Sequence, residues 1–182
     1  MSDTLIVALL AGAVALAVAF INTFLSESYK RFRDGTTLAA SLAGELAAYE
    51  EAWPILSEML NSIVSATETG KPNLEQLRPI ERPRDVVYEK SIEKLGLLGA
   101  SAAENVVYVY SNINAFRIAF EIIARDHVSM SKEELKVRCL ACRNALDRAA
   151  ARGKVLIGSL RDRASAKFSP ESPWSHWLAL FR

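Results

Sequence analysis

The sequence predicts an all-α protein, with a single N-terminal transmembrane helix followed by a small antiparallel helical bundle. Three observations carry this expectation. One uncharged apolar stretch is about as long as a bilayer is thick, apolar residues recur in steps of three and four through most of the remaining chain, and two Ser-x-x-Glu boxes stand where such runs begin. The chain divides into an anchor at 1–28, a helical region at 29–164 with a Pro-rich connector at 70–84, and an aromatic tail at 165–182.

No charge falls between Asp3 and Glu27, and Leu5 to Leu25 is broken only by Gly12, Asn22 and Thr23. These 21 residues span about 31 Å as a helix, close to the hydrocarbon thickness of a membrane. Backbone polar groups must satisfy one another in lipid, so the stretch is expected to be helical. A cleaved leader is the competing reading, and small-x-small triplets do occur at Ala13-Val14-Ala15, Ala15-Leu16-Ala17 and Ala17-Val18-Ala19. A leader begins with basic residues, whereas only Met-Ser-Asp-Thr precedes Leu5. A retained anchor is the better reading. Lys30, Arg31 and Arg33 follow the span and no base precedes it, so the N-terminus is expected outside and the helical domain in the cytoplasm.

Beyond the juxtamembrane segment, Leu42, Leu46, Tyr49, Trp53, Leu56, Leu60 and Ile63 form a helical seam. Pro54 lies inside it and predicts a kink near Tyr49 to Glu51, with the helix ending at Gly70. This helix can continue directly from the transmembrane helix, with Gly35 a candidate interruption between them. Pro83 is expected to open a short helix carrying Val87, Tyr88, Ile92 and Leu95, and Gly96-Leu97-Leu98-Gly99 a turn. A capping box of Ser101 and Glu104 should start a helix with Val106, Val107, Val109, Tyr110, Ile113, Phe116, Phe120 and Ile123. A second box, Ser131 with Glu134, should start the last long helix, whose stripe is Leu135, Cys139, Cys142, Leu146, Ala149, Gly153, Leu156 and Leu160. Amphipathic helices of this length bury their stripes by packing together.

Cys139-Leu140-Ala141-Cys142 is the one recognisable chemical motif. Arg143 stands where haem attachment needs His, no strand precedes the pair as in a thioredoxin-like dithiol, and His127 and His176 are the only imidazoles available for zinc. Both cysteines fall on the apolar stripe, so packing is the expected role and metal or redox work the alternative. His127 is expected to cap a helix end. Glu45, Glu50 and Glu51 are expected on a solvated helix face. No Ser–His–Asp set, Gly-rich phosphate loop or His-Glu metal pattern is present.

Interaction surfaces are better indicated than catalysis. Ala8, Gly12, Ala15, Ala19, Asn22 and Ser26 share one stripe of the anchor, where small residues let helices approach and Asn22 can bond across. Residues 136–182 hold ten bases against three acids, and Trp174, Trp177 and Phe181 lie on one helical face of the tail. A solvated basic helix is the default reading of the bases, and with the aromatics of the tail a membrane surface or a partner is the alternative. No groove-reading motif accompanies the bases, so nucleic acid is not an expected partner.

The order of an N-terminal anchor, a basic juxtamembrane segment, then Tyr88 ahead of Leu95-Gly96-Leu97-Leu98 and Val106-Val107 resembles small bacterial membrane-anchored helical proteins of unassigned function. The resemblance implies a place in the bacterial inner membrane and brings no catalytic residues. The expected protein is a membrane-tethered, non-enzymatic accessory or scaffold without a cofactor, meeting lipid and either another membrane protein or a second copy. A redox- or metal-responsive regulator using Cys139 and Cys142 is the alternative.

Overall fold

The computed structural model describes residues 3–69, 74 and 85–169. Every regular element among them is helical: α1 (Asp3–Glu50), α2 (Trp53–Thr69), α3 (Val86–Ser91), a 3-10 segment (Ile92–Leu98), α4 (Ala100–Asp126), a short 3-10 turn (His127–Ser129) and α5 (Lys132–Ser165).

The first helix meets two environments. From Asp3 to Glu27 every residue is exposed, with Leu16 at 75% and Phe20 at 70%. It is long and apolar enough to cross a membrane, and none of its most apolar window is covered by the rest of the chain. Thr23 satisfies its hydroxyl inside the helix, donating to the Ala19 carbonyl at 2.9 Å. From Gly35 onward the same helix buries Leu38, Ala39, Leu42, Ala43 and Leu46. Gly35 does not interrupt it. A Cβ at Gly35 would lie 2.8 Å from the Leu97 carbonyl oxygen, so glycine there admits the 3-10 segment against α1.

The break comes instead at Glu51 and Ala52, where Pro54 predicts it. Proline has no N–H to give the Glu50 carbonyl, and its ring crowds that turn. A hydrogen bond from Ala52 N to the Tyr49 carbonyl closes α1, and one from Leu56 N to the Ala52 carbonyl opens α2. Trp53, Leu60 and Ile63 are buried and Leu56 is half-buried, so the seam carries across the break.

Two local expectations fail. Ser101 and Glu104 form no capping box, because α4 already begins at Ala100 and Ser101 lies inside its first turn. Gly99 occupies the cap at φ 89°, a left-handed conformation that glycine adopts without strain. Residues 96–98, expected as a turn, continue the 3-10 helix up to that glycine. The second box does form: the Ser131 hydroxyl accepts from Glu134 N at 3.1 Å.

Against α5 pack α4, α1 and α2. All eight residues of its stripe are buried, from Leu135 to Leu160. Partners along α1 and α2 follow in reverse order: Lys136 bonds Glu68, Arg143 bonds Asn61, Gly153 receives Trp53 and Arg163 lies over Phe32. The same reversal holds on α4, where Cys142 meets Phe116, Arg148 meets Asn112 and Arg152 covers Tyr108. On α4 the strip from Val106 to Ile123 is buried except for Val107, which is 44% exposed.

Gly153 is the tightest joint, since any Cβ there would overlap the six-membered ring of Trp53. Gly153→Ala should therefore destabilise by about 1–3 kcal/mol through overpacking, despite the roughly 1 kcal/mol that alanine gains inside a helix. Thermal unfolding in detergent, run as a double-mutant cycle with Trp53→Phe, is expected to show that the smaller ring removes most of the loss. An unchanged loss in the double variant would place the strain elsewhere.

Candidate functional site

The densest polar constellation lies where α3 meets α1 and α4. A short helix begins with orphan backbone N–H groups, normally answered by the residue just before it. Here that residue is Asp85, and its side chain makes no cap. Its carboxylate is taken by other partners: Arg117 donates through Nη1 at 2.6 Å and Nη2 at 3.0 Å, and the Tyr49 hydroxyl donates at 2.5 Å. The cap comes from α1. Glu45 accepts from Val87 N at 2.9 Å and Tyr88 N at 3.1 Å, and the Tyr110 hydroxyl donates to the same carboxylate at 2.7 Å.

Aromatic faces close the cluster. Tyr88 and Tyr110 stack with centroids 4.0 Å apart and planes 4° from parallel. The Arg117 guanidinium lies 5.2 Å from the Tyr49 ring centre and donates to its hydroxyl at 2.7 Å. Burial, aided by Asp85, pushes the Tyr49 phenol up to about 12. Burial and then Glu45 raise Tyr110, and burial with the Asp85 charge raises Tyr88. Burial alone would lower Arg117, but Asp85 more than offsets it, so the guanidinium is held charged. All three phenols are donors at neutral pH, and each carboxylate has several partners. The arrangement fastens α3 between α1 and α4 and leaves no free base or nucleophile within it.

Glu45 is thus not on a solvated face as expected. A period-based reading places it one step off the Leu42 and Leu46 seam, but it cannot see the α3 N-terminus arriving from 42 residues away. Sequence reasoning also missed Asp85 and Arg117. One signal was legible: Arg117 stands beside Phe116 and Phe120 on the buried side of α4, where a base needs an acid.

Cys139 and Cys142 are both fully buried. The Cys142 thiol points at the Phe116 carbonyl, 3.6 Å away. Burial pushes Cys139 up to about 11, and burial together with its neighbour Cys139 pushes Cys142 up to about 12. The thiolate is the form that attacks or binds metal, and this environment suppresses it. Among the described residues no group of three or more His, Cys, Asp or Glu is placed to hold a metal ion. His127 stands at the α4 C-cap with Nδ1 3.1 Å from the Ile123 and Ala124 carbonyls, as expected of an end-capping imidazole.

Ala8, Gly12, Ala15, Ala19 and Asn22 are exposed on α1, with a shallow groove around Gly12 bounded by Leu5, Leu9 and Leu16. Trp174, Trp177 and Phe181 lie outside the described residues. A cleft of about 620 Å³ opens at the start of α4, where Asn105 bonds the Ser101 carbonyl, Ser159 the Val155 carbonyl, and Arg152 covers Tyr108. No protein-family model, curated protein or solved structure matches this chain.

Two measurements test the constellation. Arg117→Met should cost about 3 kcal/mol, because it strands the Asp85 charge in a mostly buried site. Adding Asp85→Asn should recover part of that loss. No recovery would show that Arg117 contributes by packing alone. Alkaline pH should act next. A thiol or phenol held protonated by the fold retains its proton after the unfolded chain has released it, so ν_U falls below ν_N and stability declines. The decline should begin near pH 9 from the thiols, then continue from pH 10 toward 12 through Tyr49. Cys139→Ala with Cys142→Ala should remove the earlier part only, as measured by unfolding free energy against pH.

Proposed function

We propose that this protein is a membrane-tethered, non-enzymatic accessory or scaffold protein of the bacterial inner membrane. Its N-terminus lies outside, and its packed helices form an antiparallel bundle in the cytoplasm that acts through helix–helix contact with a partner. One observation carries the reading. A single unbroken helix is bare and apolar over its first half, yet forms a wall of a well-packed core over its second.

Geometry favours the small-residue stripe as the contact. At 100° per residue, Ala8, Gly12, Ala15, Ala19 and Asn22 point roughly opposite to the face holding Leu38, Leu42 and Leu46. A helix meeting the stripe would emerge on the side of α1 away from α5. The Asn22 side chain lies exposed on α1, and a polar amide within an apolar span is better satisfied by a neighbouring helix. The redox or metal alternative is disfavoured by the burial of both thiols.

A photo-reactive side chain at Ala15 should capture a membrane protein or a second copy, whereas one at Ala17, about 200° around the helix, should not. Equal capture from both positions, or none from either, would remove the stripe as the contact. A reporter fused after Arg182 should be active only in the cytoplasm, and activity outside would reverse the orientation.

A further inference from the structure

Beyond α5 the chain does not leave the domain at once. Residues 166–169 continue from Ser165, and Phe168 lies against the beginning of the packed part of α1. Its ring meets Tyr29 edge-on at 5.2 Å and Phe32 at 5.3 Å. From within α5, Arg163 reaches toward the same place, its guanidinium 5.4 Å from the Phe32 ring centre. Because α1 is unbroken, the height of this cluster is set. Tyr29 is four residues beyond Leu25 and Arg33 eight, so the cluster lies about 6–12 Å past the end of the apolar stretch. That is the depth of lipid headgroups.

The charge at this level is not that of α1 alone. Lys30, Arg31 and Arg33 come from α1, while Arg163 and Lys167 arrive from the far end of the chain. All but the half-buried Arg163 are exposed. Glu27 and Asp34 oppose them, and Arg33 spends part of its charge on Asp34 at 3.4 Å, an exposed pair of little strength. Counting Asp162, which neighbours Arg163 and is exposed, five bases stand against three acids, around three aromatic rings suited to an interface.

We propose that this collar is a binding surface for anionic phospholipid headgroups, built jointly by the two ends of the helical domain. The inference deepens the membrane-tethered reading and rests on it. Flanking bases on a span would orient any anchor. What the fold adds is Arg163 and Lys167, brought down to the same plane by the Phe168 contact, so that the base of the domain lies against the membrane. The partner is a bilayer surface rather than soluble phosphate, because the bases are spread around a helix emerging from that surface and are not gathered into a pocket.

The test uses the full chain in phosphatidylcholine bilayers carrying trace spin-labelled phosphatidylglycerol or phosphatidylcholine, and compares how strongly each lipid is held at the protein surface. A base near an anionic surface strengthens association by up to about fivefold, so a clear preference for phosphatidylglycerol is expected at low salt, fading in 1 M salt as screening shortens. Arg163→Gln with Lys167→Gln should at least halve the preference. Lys167→Glu, which leaves the Arg163 contact with Phe32 in place, should reduce it as well without altering helix content. No preference in the unaltered chain, or an unchanged preference in both variants, would overturn the collar while leaving the membrane-tethered reading intact. Failure of the chain to enter bilayers at all would overturn both.

Discussion

Most of the packed domain depends on how closely three helices can approach α5. Its buried stripe is built largely from small side chains: Cys139, Cys142, Ala145, Ala149 and Gly153. The gap at Gly153 is filled by the Trp53 ring from α2, and at Cys142 the backbone of α4 comes close enough for the Phe116 carbonyl to accept from the thiol. Interiors are packed as densely as organic crystals, so small and large must alternate across a contact. The two cysteines are explained within this scheme as compact buried residues with protonated thiols. Near its C-terminal end α5 turns to larger residues, Leu156, Ile157 and Leu160.

A second layer of order is polar. The segment from Val86 to Leu98 is too short to be stable alone, and it buries little beyond Leu95 and Leu98. It is held by charge and hydrogen bonding at one end and close backbone approach at the other. Arg117 and Tyr49 hold Asp85, and Glu45 accepts from Val87 N and Tyr88 N, so its start is bound to α1 and α4, while Gly35 admits Leu97 against α1. Burying two carboxylates is costly, and several donors to each offset that cost. A closed set of this kind specifies one placement of α3 over others.

The passage of α1 from its bare half into its packed half has no loop in it. Under the proposed membrane-tethered reading, rotation and height of the packed helices would follow those of the bare half, so a contact made there would present a defined face. The aromatic contact at Tyr29, Phe32 and Phe168 lies where the two halves join. The break at Glu51 and Ala52, ahead of Pro54, comes well after α1 has begun to pack.

Local chemistry made much of this protein legible in its sequence. The apolar stretch, the seams on α2, α4 and α5, the Ser131 cap, the Pro54 break and the His127 end position all follow from spacing within one helix or from a single residue's geometry. What spacing within one helix cannot report is what comes to meet it. Glu45 reads as solvent-facing until α3 supplies two N–H groups, Gly35 leaves a continuous helix or an interruption open until Leu97 is seen to need its space, and Arg163 reads as one base among many on α5 until its guanidinium is seen over Phe32. Periodicity encodes which side of a helix is turned inward. Partners far apart in the chain are decided only by tertiary packing, because their contact depends on where several helices end in space and not on any local pattern.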